Sequence, residues 1–128
     1  MKLRVLDDSL RLRLGRSEVT RLANGEAVEG RTHFPGGVFV YRVVTCEDEA
    51  GGASFDAGSI EVRLSRERVA RWATTDEVSL RGTQALADGG TLRILVEKDF
   101  QCLAPRDPGE DPGVDSDAFE NPNAGAAC

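Results

Sequence analysis

The chain has 128 residues, 40% of them apolar and 30% charged, with a formal charge of −6 at pH 7. That length and apolar share fill one core, and no stretch approaches the ~20 apolar residues with which a helix spans a bilayer. Residues 1–103 carry 15 Lys and Arg against 16 Asp and Glu, whereas 104–128 carry Arg106 against six acids, so a near-neutral body has no long-range pull on nucleic acid and the acidic segment opposes one.

Met1 to Asp8 contains no apolar run of signal-peptide length and turns acidic at once. We therefore expect a cytoplasmic protein whose three cysteines are free thiols or metal ligands rather than disulfides. The cations are 14 Arg and two Lys, a bias that a GC-rich genome explains and that also suits bidentate recognition of anions.

Leu10, Leu12 and Leu14 alternate with Arg11 and Arg13, the period of two that puts one face of a strand in a core and the other in water. Lys2 to Leu6 reads as a shorter strand pairing with it. Ser17 can cap a short helix through Asn24, with Glu18 in the first turn, Val19, Leu22 and Ala23 on one face, and Asn24-Gly25 as the stop. A strand from Glu26 to His33 follows, then a turn at Phe34-Pro35-Gly36-Gly37. Val38 to Cys46 is so continuously apolar and β-branched that it reads as a central strand buried on both faces.

Glu47 to Gly52 is a linker, and after it the pattern returns. Leu12 to Ala23 and Val62 to Ala73 stand 50 residues apart and are identical at six of twelve positions. In this reading Val28 faces Val78, Arg31 faces Arg81, and Gly36-Gly37 before one strand is matched by Gly89-Gly90 before Thr91 to Lys98. Two Arg-rich amphipathic segments can be alike by chance, but we read a duplication. It predicts an α+β domain over 1–103 whose halves, 1–46 and 52–99, each run strand, strand, short helix, strand, strand. Two such pseudo-symmetric halves would close as a small barrel or as a pair of curved antiparallel sheets. Val19, Leu22, Val69 and Trp72 would cap the ends of the core, with Trp72 structural rather than a ligand platform.

Positions where the halves differ are the better places to seek function, because shared positions mainly maintain the fold. One break is Thr32-His33-Phe34-Pro35, opposed by a bland loop from Gly82 to Asp88. The other is 104–128, which holds Pro105, Pro108, Pro112 and Pro122, four of the five prolines, and has the composition of a segment that does not order itself. Phe119 is its natural apolar anchor and Cys128 a candidate pin.

The run Leu10 to Leu14 with Ser17-Glu18-Val19, then Thr32-His33-Phe34, then Val96 to Leu103, and Asn121-Pro122-Asn123 before Cys128, resembles a family of small bacterial proteins of unknown function over nearly the whole chain. The resemblance implies no activity. It does imply a pattern with a His in the Thr-His-Phe turn and a Cys in Glu-Lys-Asp-Phe-x-Cys, here His33 and Cys102. Cys46 is not part of it, and Cys128 matches less closely.

No Walker loop, Gly-x-Gly-x-x-Gly, Gly-x-Ser-x-Gly or Cys-x-x-Cys is present, and a single His excludes a His-based metal triad. Glu47-Asp48-Glu49 reads as a solvated loop. Three classes of function remain. The first is metal binding, with His33, Cys102 and Cys128 converging on zinc or copper, since imidazole and thiolate suit both and neither Mg²⁺ nor Ca²⁺ selects them. The geometry is feasible, since His33 ends a strand, Cys102 follows a strand that can neighbour it and a 25-residue segment reaches any point on so small a domain; three ligands leave a fourth position for water, Cys46 or a tail carboxylate. A Cys102–Cys128 disulfide, or three unrelated side chains, are the competing readings. The second class is a non-enzymatic module that binds an anionic protein or small-molecule partner through Arg11, Arg13, Arg63, Arg66 and Arg71 while the acidic tail competes. The third is an enzyme working between the halves, for which no residue speaks. Neither a membrane nor nucleic acid is an expected partner.

Overall fold

The computed structural model describes residues 1–100 and Phe119. In chain order they form β1 (Lys2–Leu6), β2 (Ser9–Leu14), α1 (Arg16–Ala23), β3 (Val28–Phe34), β4 (Gly37–Cys46), β5 (Gly52–Asp56), β6 (Ser59–Ser65), α2 (Arg66–Thr74), β7 (Ser79–Ala85) and β8 (Thr91–Lys98). Each half is strand, strand, helix, strand, strand. Segments 12–23 and 62–73 both pass from strand to helix, and every position from 11 to 20 has the burial class of the position 50 residues later.

The strands make two four-stranded sheets, β1-β2-β8-β7 and β3-β4-β6-β5. Neither sheet belongs to one half, because β2 runs parallel to β8 and β4 parallel to β6. The sheets are therefore mixed rather than antiparallel, and neither closes into a barrel. A parallel pair cannot be joined by a tight turn, so it forms between strands that the sequence keeps apart, and the repeat alone could not show which hairpins would meet.

Pairing also corrects the alignment of the halves. Ser9 lies opposite Arg93 and Ser59 opposite Val40, so β2 maps onto β6 at an offset of 50 and β4 onto β8 at 53. Val28 lies opposite Val43 and Leu80 opposite Val96, so β3 maps onto β7 at 52. Val28 thus corresponds to Leu80 rather than Val78, and Arg31 to Thr83 rather than Arg81. Two more residues separate Ala73 from Leu80 than Ala23 from Val28, one in the longer α2 and one at the start of β7, and they cause the slip; Val28 and Leu80 are buried and Val78 is exposed.

The core gathers inward-facing residues of both sheets, among them Leu12, Leu14, Val43, Val62, Leu80 and Val96, with Val19 and Leu22 of α1 and Val69 and Trp72 of α2 laid over them. Both helices pack on each other at one end of the strands, not at two ends. The four hairpin turns, at 7–8, 35–36, 57–58 and 86–90, lie at the other. The N-cap of α1 is Gly15, two residues before the expected Ser17; the Glu18 carboxylate accepts its N–H at 2.9 Å. Ser65, its counterpart, caps α2 with its hydroxyl, which accepts the Arg68 N–H at 3.3 Å. β4 is interior to its sheet but is not buried on both faces. Only Val43 is buried, because the outward set from Val38 to Cys46 has no second layer among the described residues.

Past the last strand, Phe119 donates its N–H to the Asp99 carbonyl at 2.7 Å, sets its ring 5.8 Å from that of Phe100 and packs on the core. It is the anchor that the sequence predicts. The other expectations for 104–128 lie outside the described residues.

Trp72 is fully buried, donates its indole N–H to the Val78 carbonyl at 2.9 Å, and occupies the place that Leu22 holds in the first half. Trp72→Leu, which makes the halves alike, should therefore lower stability by about 2 to 4 kcal/mol through the cavity it leaves, read as a shift of the urea midpoint. A loss below ~1 kcal/mol would show that the indole is not packed as described.

Candidate anion-binding face

His33 is exposed near the end of β3, opposite Val38 and on the outward face of β3-β4-β6-β5. Cys46 closes β4, with its thiol 3.3 Å from the Asp48 carbonyl. Cys102 and Cys128 lie outside the described residues. β8, which precedes Cys102, does not neighbour β3: it pairs with β2 and β7, while β3 pairs with β4 in the other sheet. Among the described residues no group of three or more His, Cys, Asp or Glu side chains could hold a metal ion.

The chemistry that the fold does assemble is on the opposite outer face. Because Leu10, Leu12 and Leu14 point inward, Arg11 and Arg13 point outward, and the register aligns the rest. Lys2 lies opposite Arg13, Arg4 opposite Arg11, Ser9 opposite Arg93, Arg11 opposite Leu95, Arg13 opposite Glu97, Thr83 opposite Arg93 and Arg81 opposite Leu95. The outer face of β1-β2-β8-β7 therefore carries six cations, Lys2, Arg4, Arg11, Arg13, Arg81 and Arg93, against the carboxylate of Glu97 and, at the edge beside Lys2, that of Asp99.

The pseudo-equivalent face of the other sheet is balanced. It has Arg31, Arg42 and Arg63 against Glu29, Asp56 and Glu61, and each arginine has a carboxylate partner: Arg31 meets Glu29 at 3.3 Å, Arg42 meets Glu61 at 3.6 Å and Arg63 meets Glu61 at 3.5 Å. Position by position, Arg4 replaces Ser54, Arg11 replaces Glu61, Arg81 replaces Glu29 and Arg93 replaces Val40. The scaffold is repeated and the charge is not.

Glu97 organises the basic face. Its Oε1 accepts the Arg11 Nε at 2.7 Å and the Arg13 Nε at 2.8 Å, and Arg11 Nη2 reaches it at 2.7 Å. One carboxylate thus fixes two guanidiniums and leaves a net positive charge. Lys2 meets Asp99 at 3.5 Å. Arg4, Arg81 and Arg93 are exposed and, among the described residues, have no carboxylate within ion-pair distance. Three of the cations border a groove of about 330 Å³ with Ser9, Thr83 and Leu95: Arg11, Arg81 and Arg93. A second depression, of about 210 Å³, lies between Lys2, Arg4, Arg11 and Arg13. Sequence reading named Arg11 and Arg13 but grouped them with Arg63, Arg66 and Arg71, which lie on the other sheet and on α2. Arg81 and Arg93 were missed because only cross-strand register brings them beside Arg11.

Lys98 is a different kind of cation. It is buried at the inward end of β8, donates to the Thr75 carbonyl at 2.9 Å at the C-terminus of α2, and lies 5.4 Å from the centre of the Phe119 ring. An ammonium suits the negative end of a helix. Burial nevertheless holds its pKa below the ordinary lysine value of 10.5, partly offset by Asp76 and Glu77.

Residues 1–123 match the model of a family of unknown function, DUF7009. No curated protein and no solved structure matches the chain.

Lys98 makes a pH prediction. Folding lowers its pKa, so the folded protein binds that proton less tightly than the unfolded chain. The cost is fully present below the lowered value and is relieved as pH climbs from there toward 10.5. Wild type should accordingly gain Tm relative to Lys98→Met between pH 7 and pH 10 when both are scanned in matched buffers. A difference that stays flat would mean that the amine is not desolvated.

Proposed function

We propose, for a chain that belongs to the DUF7009 family of unknown function, that it is a non-enzymatic binding module holding a phosphate- or carboxylate-bearing partner on the outer face of β1-β2-β8-β7. The observation that carries this reading is the charge difference between two outer faces built on one repeated scaffold. A need for solubility alone would leave both faces mixed in sign, as the β3-β4-β6-β5 face is. Six cations beside two carboxylates, Glu97 and Asp99, instead repel one another, and a bound anion relieves that repulsion. Guanidiniums present paired donors that match carboxylate and phosphate oxygens, and the groove beside Arg81 and Arg93 suits a compact ligand in size.

Nucleic acid fits less well. Single-stranded nucleic acid binds on aromatic platforms, and none of the outward residues of this face among those described is aromatic. The acidic segment 104–128 supports a regulatory part of the reading. Its six acids are tethered through Phe119 to the end of β8, so they compete for the basic face at the high effective concentration of an attached ligand.

Titration calorimetry with inorganic tripolyphosphate at low salt tests the proposal. Binding should weaken steeply as salt is added, and Arg81→Ala combined with Arg93→Ala should weaken it about ten-fold or more, the equivalent of ~1.4 kcal/mol or above. Replacing all six acids of 104–128 by their amides should tighten it. Equal affinity in the Arg81/Arg93 double variant would place the anion elsewhere and end this reading.

A further inference from the structure

α1 and α2 seal one end of the sandwich, and the end with the four hairpin turns has no such cover among the described residues. Register shows what the opening exposes. Val5 lies opposite Leu10 and Phe55 opposite Ile60, so both belong to the inward-facing sets of their strands, yet they are 58% and 69% exposed. Phe34, on the inward face of β3, is 59% exposed. Single exposed apolar residues are ordinary on a surface. Large ones aimed between two sheets and left wet, gathered at one end of a molecule, mark a contact surface. Leu10, Phe55, Ile60, Leu86 and Leu92 line a cleft of about 280 Å³ there, and Gln84 Oε1 accepts the Ala53 N–H at 2.7 Å to tie the two sheets together beside it.

The rim of this end is acidic, with Asp7 and Asp8 in one turn, Asp56 at another and Asp88 in a third. Asp88 serves its own turn by accepting the Gly90 N–H at 2.9 Å. The left-handed conformation at Asp7 does not itself demand an acid, since Ala57 holds the same one at the corresponding position, with φ of 50° against 47°. The sign of the rim narrows the occupant. A second copy of the chain would bring the same four acids, an anionic lipid surface would be repelled, and residues 104–128, with six acids and one arginine, carry the wrong charge.

We infer that the open end is a docking cleft for a segment of another protein that inserts a large apolar side chain and flanks it with lysine or arginine. The apolar cleft supplies an anchor site of the kind that dominates such contacts, and the acidic rim supplies selectivity and rate. The site is separate from the basic face, whose residues point outward from the other side of the sheet.

Fluorescence anisotropy on the full chain tests it, with a short labelled peptide of alternating lysine and leucine around a central tryptophan as the probe. A matched peptide has glutamine for every lysine. The lysine peptide should bind and the glutamine peptide should bind at least about ten-fold more weakly. Val5→Ser with Phe55→Ser should weaken binding about ten-fold or more; both side chains are exposed, so the fold should persist, as circular dichroism would confirm. Asp7→Asn with Asp56→Asn, which touches no apolar residue, should weaken binding and flatten its salt dependence. Lysine-peptide binding that neither pair alters, equal binding of the glutamine peptide, or a wild-type dimer that Phe55→Ser dissolves would each overturn the inference.

Discussion

Parallel pairing between the halves, β2 with β8 and β4 with β6, is the constraint on which the rest of the structure depends. Neither half can complete a sheet alone, so the two four-stranded sheets exist only when each half's first hairpin meets the other half's second. These contacts are far apart in sequence, and their loop-closure entropy must be met before burial rewards it. Once they form, much else is fixed. The helices leave β2 and β6 at the same end and settle on each other, and the four turns go to the opposite end. Leu12, Leu14, Val62 and Val96 then face one another across a shared interior.

A scaffold of this kind separates stability from chemistry. The inward residues keep the same burial class between the halves over ten consecutive positions. The outward residues touch only solvent and their cross-strand neighbours, so they can diverge at little cost to folding. On one sheet they settle into compensating pairs of low individual worth. On the other, Glu97 holds Arg11 and Arg13 in place, while Arg4, Arg81 and Arg93 have no carboxylate within ion-pair distance among the described residues. Symmetry makes the excess legible, since each unmatched arginine can be compared with the Ser, Glu or Val at its counterpart. The open end is a second departure from closure, apolar within and acidic at its rim, so the molecule presents two surfaces of opposite character.

Much of the fold was legible in the sequence because it is encoded locally. The Leu-Arg alternation of β2, the 50-residue repeat and the glycines before β4 and β8 all act through a residue's near neighbours. What was not legible depends on which strands meet. The mixed sheets, the Val28 to Leu80 correspondence and the exposure of the β4 outer face each follow from pairings across tens of residues. So does the basic face: Arg11 and Arg13 stand out on one strand, whereas Arg81 and Arg93 join them only through register. The same limit affected the expected neighbouring strands near His33, because the end of β3 was placed correctly in the chain and wrongly in the sheet order.

The most direct test of the central claim, that the unmatched charge on one of two equivalent faces is the binding surface, is a residue-resolved map of anion contact. Amide chemical-shift changes on adding tripolyphosphate to the labelled full-length protein supply it. The account predicts shifts concentrated at residues 9–13, 81–83 and 93–97, with residues 29–31, 40–44 and 59–63 of the mirrored face silent. Comparable shifts on both faces, or shifts confined to the mirrored one, would contradict it.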